Sequence, residues 1–265
     1  KGVPVGSEFQ INTYTPGQQY EPTVAGLNGG GFVVAWRSDG QDGSGAGVYA
    51  QRFDANGVPV GNEFLVNSTT SSNQYQPTLI GTADGGFVVA WYHDSVNVGG
   101  EYYDIFFQRY NASGVAQGGE TRGNPTGLGT VAQSEPSLAA LSGGGFVLTW
   151  TDQSTDGSGN GVFAQRFNAN GTTAGSSFQV NTFTTGDQSD SHVVGLTGGG
   201  FVVVWRSTGQ DGGGSYGVFG QIYNSAGVAV GGEFRVNTET AGNEYEPTVT
   251  ALSHGGFAVA WNDDG

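Results

Sequence analysis

The sequence predicts an all-β chain, a β-propeller of about five four-stranded blades with the last blade incomplete, and three observations lead there. All five Trp of the 265 residues (Trp36, Trp91, Trp150, Trp205 and Trp261) stand at spacings of 55, 59, 55 and 56. Each closes the same phrase, as in Gly31-Phe32-Val33-Val34-Ala35-Trp36 and Gly200-Phe201-Val202-Val203-Val204-Trp205. Short runs rich in β-branched and aromatic residues alternate with Gly, Asn and Asp, and no window carries a 3.6-residue apolar period. Units of fixed period that cannot bury their own apolar faces must stack on one another, which is repeat architecture.

The period divides a single repeat domain into units 6–60, 61–117, 118–174, 175–230 and an incomplete 231–265. The first strand of each unit is the run Thr23 to Leu27, Thr78 to Gly81, Ser137 to Leu141, Val193 to Leu196 or Thr248 to Leu252. Its small residues, such as Ala139 and Ala140, suit the crowded axis of a propeller. The Phe-to-Trp run is the second strand, apolar throughout and therefore covered on both faces. Third strands are Val48 to Phe53, Ile105 to Tyr110, Val162 to Phe167 and Val218 to Tyr223. Fourth strands are Phe9 to Asn12, Phe64 to Asn67, Phe178 to Asn181 and Phe234 to Asn237; the copy at Glu120 to Asn124 has lost the pattern. Gly-rich hairpins join first to second strands, and turns such as Asp54-Ala55-Asn56-Gly57 join third to fourth. The fifth unit has no third strand, so the chain reads as part of a longer repeat array; a five-bladed ring with a defective last blade is the alternative.

Eight basic against 23 acidic residues give a net charge of −15, which excludes a nucleic-acid partner. No apolar run is long enough for a membrane-spanning helix. With no Cys there are no disulfides, thiolate metal sites or Cys nucleophiles. An apolar share of 36% in regular clusters argues against disorder. The acidic, Cys-free, Lys-poor composition suggests a bacterial protein that works outside the cell or on its surface.

Three groups are candidates for chemistry. The loops after each Trp carry Asp39, Asp42, Asp94, Asn97, Asp156 and Asp211 at fixed offsets, an oxygen-rich set suited to Ca²⁺; the same residues also make Asx turns. The residue opening each first strand is Glu21, Gln76, Glu135, Asp190 or Glu246. In a propeller these form a ring at one mouth of the central channel, able to hold a cation or sugar hydroxyls, or to bond a neighbouring blade's backbone. The third group is the set of departures in the second unit, Tyr92, His93, Glu101, Tyr102, Tyr103 and Asp104, whose aromatics and acids mark a ligand patch. No Ser-His-Asp grouping, His metal pair or phosphate loop is readable, while a carboxylate pair formed across blades is invisible in sequence. Arg52, Arg109 and Arg166 read as ion-pair partners.

The stretch from Gly30 to Asn67, with Asp39-Gly40-Gln41-Asp42-Gly43-Ser44-Gly45 and Gly47-Val48-Tyr49-Ala50-Gln51-Arg52-Phe53-Asp54, resembles tandem repeats of large secreted bacterial proteins of the RTX, or haemolysin-type calcium-binding, group and related adhesins. The group's Gly-Gly-x-Gly-x-Asp run is absent, so its calcium sites do not carry over. The resemblance implies an extracellular setting. Together these readings lead to the expectation of a non-catalytic repeat domain for adhesion, assembly or ligand display, calcium-stabilised, with a glycan or a cell-surface protein as partner. A lectin-like glycan binder and a polysaccharide-active enzyme are the alternatives.

Overall fold

The structure, a computed structural model, describes residues 6–97, 100–125, 131–153, 155–212 and 214–265, leaving aside the side chains of 95–97 and 100–102. It consists of five antiparallel sheets in chain order. Blade 1 holds β1 (Gln19–Gly26), β2 (Phe32–Asp39), β3 (Ala46–Phe53) and β4 (Phe64–Leu65). Blade 2 holds β5 (Gln74–Gly81), β6 (Phe87–Asn97), β7 (Gly100–Tyr110) and β8 (Thr121–Arg122). Blade 3 holds β9 (Gln133–Ala140), β10 (Phe146–Gln153), β11 (Asn160–Phe167) and β12 (Phe178–Gln179). Blade 4 holds β13 (Gln188–Gly195), β14 (Phe201–Thr208), β15 (Tyr216–Tyr223) and β16 (Ala229–Arg235), and blade 5 only β17 (Glu244–Ala251) and β18 (Phe257–Asp263). Among the described residues no helix is long and apolar enough to cross a membrane.

Sheets of this kind bury their apolar faces against each other. Val33, Ala35, Val48 and Ala50 of blade 1 meet Leu79, Val89 and Trp91 of blade 2, and the next interfaces repeat the pattern with Trp150 and Trp205. These three indoles are at most 1% exposed. First strands of successive blades adjoin along the axis. There the approach is so close that a Cβ on Gly81 would overlap the Gly26 carbonyl oxygen, and one on Gly195 that of Ala140. This is why small residues end the first strands.

The blades are also clamped at their outer corners. The Arg52 guanidinium donates to Ser113 O (2.8 Å) and Ala112 O (2.6 Å) in the turn between the third and fourth strands of the next blade. Arg109 donates likewise to Asn170 O (2.6 Å), and Arg166 to Ala226 O. The expected ion pairs are therefore corrected: these cations end on backbone carbonyls, which every copy of the turn presents whatever its side chains. A second interblade bond joins the turns after β4 and β12 to a Glu of the next blade: Ser68 N and Oγ donate to Glu120 (2.8 and 3.1 Å), and Thr182 N to Glu233.

Two expectations about strands change. The altered stretch at Glu120 to Asn124 still pairs, as β8, and Asn124 Oδ1 accepts from Ile105 N (2.9 Å) as Asn67 does from Val48 N (2.8 Å). Backbone pairing and one Asn outlast the loss of the Phe. Phe9 to Asn12 is not a strand, yet it stands where a fourth strand stands against the following blade. Phe9 packs on Phe53 (5.6 Å between centroids) as Phe64 does on Tyr110 (5.3 Å), and Thr13 N donates to Glu63 (2.6 Å).

Candidate functional site

Each first strand carries one irregularity at the same place. Its register against the second strand shifts between Tyr20 and Thr23, Tyr75 and Thr78, Ser134 and Ser137, Ser189 and His192, and Tyr245 and Thr248. Inside each shift sits a residue with positive φ: Glu21 (52°), Gln76 (45°), Glu135 (55°), Asp190 (57°) and Glu246 (48°). None is Gly, and a non-Gly residue in this region is strained. A bulge re-aims a side chain out of the strand's alternation. The five-fold repetition therefore sets one polar side chain per blade at the same bulge, in a ring about one end of the axis.

Part of that ring is structural. Glu21 Oε2 accepts from Gln76 N (2.7 Å), and Glu135 Oε2 from Asp190 N (2.8 Å), so two of the carboxylates tie one bulge to the next. The ring is not uniform, and the difference is chemical. Gln76, Glu135, Asp190 and His192 line one cavity of about 230 Å³, with Ser137 and Ser191. Burial, and then the Glu135 carboxylate beside it, pushes the Asp190 carboxyl above the usual carboxylate range; Arg206 and His192 oppose this. Glu135 is held differently, accepting from the Thr151 hydroxyl (2.6 Å) as well as from Asp190 N. His192 meets the water of the cavity, yet the surrounding walls depress its imidazole below its ordinary value, against the pull of Asp190. Glu246 is exposed and accepts from Asn262 Nδ2 (2.8 Å).

An aromatic wall flanks the ring on blades 1 and 2. Tyr75 stacks on Tyr92 (5.1 Å), and Tyr103 meets Tyr92 edge-on (5.2 Å). The Arg37 guanidinium lies over both Tyr20 (5.1 Å) and Tyr75 (4.7 Å). Burial, with Glu21 next in weight, pushes the Tyr92 phenol up to about 12. On blade 4, Arg206 lies over Tyr216 (5.0 Å) and donates to Ser189 Oγ (2.8 Å). Thr151, Arg37 and Arg206 were not singled out in the sequence; all three directly follow a Trp, together with Tyr92 and Asn262, and that shared position is the signal.

The second-unit patch divides in the fold. Tyr92 and Tyr103 join the wall. His93 is 8% exposed, turned under the surface onto Phe106 (5.4 Å). Asp104 is bonded to Arg122 and to Asn124 Nδ2 (3.1 Å). The side chains of Glu101, Tyr102 and Asn97 lie outside the described residues.

Of the residues named as calcium ligands, Asp39, Asp42, Asp94 and Asp156 bond within the protein, while Asp42 Oδ2 is buried without a hydrogen-bond partner among the described residues. Asp94 takes Asn73 N (2.6 Å) and Nδ2 (2.9 Å), and Asp39 pairs with Arg37 (3.1 Å). Asp42 and Asp156 each cap the backbone N–H two residues on, that of Ser44 (3.0 Å) and of Ser158 (3.1 Å). Asp42, Asp156 and Asp211 fold back over Gly47, Gly161 and Gly217, where a Cβ would stand about 3 Å from them. Asp156 there reaches Asn181 Nδ2 (3.3 Å). In blade 2 the glycine's place is taken by Asp104, which reaches the equivalent Asn124 from the strand itself. One carboxylate station thus serves each complete blade. Among the described residues no three His, Asp or Glu are grouped as a metal site.

No family model and no curated protein matches the chain. Solved structures do. An α-L-arabinanase of Penicillium chrysogenum, complexed with arabinobiose, superposes with a TM-score of 0.63 at 19% identity, over 94% of this chain and 76% of that one. An α-L-arabinofuranosidase of Fusarium graminearum does so at 0.61 and 14% identity, over 94% and 76%. A GH43 endo-arabinanase of Bacillus licheniformis gives 0.51 and 12%, over 96% of both chains. At such identities the likeness establishes the fold, an all-β propeller. It also overturns two expectations. The repeats align with the blades of arabinan-processing enzymes and not with RTX calcium-binding repeats; the shared phrases encode blade packing, which says nothing of calcium or adhesion. The expectation of a non-catalytic domain for adhesion or display falls with it, since these structures are named as enzymes.

Proposed function

We propose that this propeller is a polysaccharide-active enzyme, a glycoside hydrolase working at the acidic mouth of its axis. The observation that carries the reading is the pair Asp190 and Glu135, adjacent carboxyls on neighbouring bulges that open on one cavity and are held in unlike environments. Glycosidic cleavage uses such a pair, one group protonated to donate to the leaving oxygen and the other ionised to act as base or nucleophile. Asp190, whose carboxyl burial and Glu135 push above the usual carboxylate range, is the acid. Glu135, kept in place by the Thr151 hydroxyl and the Asp190 N–H, is the carboxylate partner. The tyrosines beside Glu21 supply stacking faces for sugar rings. The matched enzymes act on arabinose-containing glycans by name, which makes arabinan and arabinoxylan the first substrates to test. A polymer of that size is met outside the cell, and an extracellular location belongs to the proposal.

The test is release of reducing ends from arabinan, arabinoxylan and xylan by the chain and by Asp190→Asn and Glu135→Gln. The expected result is cleavage by the parent and a loss of about 10²-fold or more in each variant, the scale of general acid–base contributions. Binding of the same glycans should persist in Asp190→Asn. Binding without any cleavage by the parent would leave the lectin-like alternative and overturn the enzyme.

A further inference from the structure

Four Asn–Gly pairs stand in the sequence: Asn28-Gly29, Asn56-Gly57, Asn160-Gly161 and Asn170-Gly171. An asparagine before glycine carries a reaction within itself. The next backbone nitrogen can reach the side-chain carbonyl carbon, and no Cβ on the glycine obstructs the approach. Two of the four occupy one station, the turn between third and fourth strands: Asp54-Ala55-Asn56-Gly57 in blade 1 and Asn168-Ala169-Asn170-Gly171 in blade 3. Both asparagines are exposed. The turns share a backbone, with Gly57 N donating to Asp54 O (3.0 Å), Gly171 N to Asn168 O (2.9 Å), and both glycines at positive φ (78° and 84°). Freeing the attacking nitrogen thus costs the same in each, and a difference in reactivity comes from what surrounds the asparagine.

The surroundings differ in three ways, and each favours Asn170. Its Oδ1 accepts from Thr172 N (3.1 Å) and from the Thr172 hydroxyl (2.7 Å), whose oxygen in turn accepts from Asn168 Nδ2 (3.0 Å). Donors placed on a carbonyl oxygen stabilise the negative charge that gathers there when a nucleophile adds to its carbon. The main-chain oxygen of Asn170 accepts from the Arg109 guanidinium (2.6 Å). A cation on that oxygen makes the N–H of the same peptide group, that of Gly171, more acidic. Residue 168, finally, is a neutral Asn. In blade 1 none of this holds. Among the described residues no protein donor reaches either oxygen of Asn56, and the Asp54 carboxylate takes Asn56 N (2.8 Å) and Val58 N (2.8 Å), which sets a negative charge where more would build up.

We propose that Asn170 is a self-modification site, a deamidation centre assembled by the clamp between blades 2 and 3. The Gly171 nitrogen, its proton lost to a base in the solvent, bonds to Asn170 Cγ. The Cγ–Nδ2 bond then breaks, and ammonia leaves with a proton taken from water. Water opens the resulting cyclic imide at either carbonyl and leaves aspartate or isoaspartate at position 170. Both products set a new carboxylate near the Arg109 guanidinium, and isoaspartate also lengthens the main chain by a methylene and draws the carbonyl off the clamp. The contact that holds the two blades thus promotes the reaction that alters it. The site lies at the outer corner of the blades and is independent of any catalysis at the axial mouth.

The test incubates the folded chain at mildly alkaline pH and follows both turns by peptide mapping with mass spectrometry. Asn170 should convert about tenfold faster than Asn56. Thr172→Val and Arg109→Met should each slow Asn170 about threefold and leave Asn56 unchanged, so that Asn56 acts as an internal clock for the fold. Asn168→Asp, on an exposed residue, gives blade 3 the carboxylate of blade 1 and should slow Asn170 as well. A variant that moved both rates would have lost its fold, and Asn168→Asp then decides. Conversion at neither asparagine, a rate at Asn56 equal to or above that at Asn170, or an Asn170 rate that ignores all three substitutions would each overturn the proposal.

Discussion

Blades 4 and 5 carry almost the same phrase and bury it very differently. Phe201-Val202-Val203-Val204-Trp205 of blade 4 is 0% exposed at every residue. In Phe257-Ala258-Val259-Ala260-Trp261 of blade 5 exposure alternates, with Ala258 and Ala260 open to solvent and the other three half-buried toward blade 4. Blade 4 has sheets on both sides and β15 along its second strand; blade 5 has one neighbour and a free edge. The apolar run is thus a request for two neighbours, and how much it stabilises depends on whether both are there. The sharpest way to break this comparison is to remove the same residue from each blade. Trp205→Ala deletes a fully enclosed indole and should cost about 3–5 kcal/mol, whereas Trp261→Ala, half solvated, should cost roughly 1 kcal/mol. Chemical denaturation of both variants checks this; equal losses would mean that blade 5 is as well packed as blade 4.

The next effect concerns a single position at the start of the first strands. Gln188 in blade 4 accepts from Asn181 Nδ2 (3.0 Å) and donates to Thr185 O (3.2 Å), and Gln133 in blade 3 donates to Asp152 (3.1 Å) across the ladder. Blade 5 has Glu244, 0% exposed although close to the open flank, and its ladder partner is Asp263. Burial raises the Glu244 carboxyl; Asn237 offsets part of this, and repulsion from Asp263 and Asp211 adds to it. A raised folded-state value means that the stability is present below the unfolded carboxylate range and is lost as pH rises through the folded one. The chain should therefore lose stability from mildly acidic to neutral pH through this group. Glu244→Gln restores the Gln–Asp pair of blade 3 and should raise Tm at neutral pH by roughly 2–4 °C while leaving it little changed in acid. Gln188→Glu should do the reverse in blade 4. A Tm unaffected by Glu244→Gln at neutral pH would show the carboxylate to be solvated.

The clamps give a smaller contrast. Arg52 bonds two carbonyls of the following blade, while its counterpart in blade 4 is Ile222, which has no such group to offer. Arg52→Met keeps the stem and should cost about 1–2 kcal/mol, with little dependence on salt because the acceptors are neutral carbonyls. A cost that vanishes in high salt would return Arg52 to an ion pair.

The sequence showed more of the fold than of the site, for a physical reason visible in particular residues. Five Trp at one phase reveal the blades because burial in a stacked sheet tolerates few residue types. The altered strand at Thr121 and Arg122 hid its pairing, since backbone bonds leave no mark on side-chain identity. Glu21, Glu135, Asp190 and Glu246 were found by their repetition, but their αL bulges were not, because Glu and Asp carry no signature of positive φ. The pairing of Asp190 with Glu135 arises from adjacency of blades, which no spacing along the chain records. Calcium was inferred from oxygen-rich loops; the Asn partners that use those oxygens, Asn73 and Asn181, lie 21 and 25 residues away in the chain from Asp94 and Asp156.

The smallest effect divides blades 4 and 5 at the axial mouth itself. Asp190 is half-buried between complete blades, its carboxyl raised by burial and by Glu135 and lowered by Arg206 and His192, whereas Glu246 is exposed. If Asp190 is the proton donor, activity falls on the alkaline side as Asp190 ionises, and this limb lies above the ordinary carboxylate range. Removing the nearby cation withdraws support from the carboxylate form, so Arg206→Gln should move the limb to higher pH by a fraction of a unit. Glu246→Gln should leave it in place, since blade 5 lends Asp190 only a weak and distant repulsion. His192→Gln should move it in the same direction as Arg206→Gln, since His192 also lowers the Asp190 carboxyl. The profile of kcat/KM on the best arabinan substrate reads all three, and a limb that follows Glu246 instead of Arg206 would shift the acid from blade 4 to blade 5.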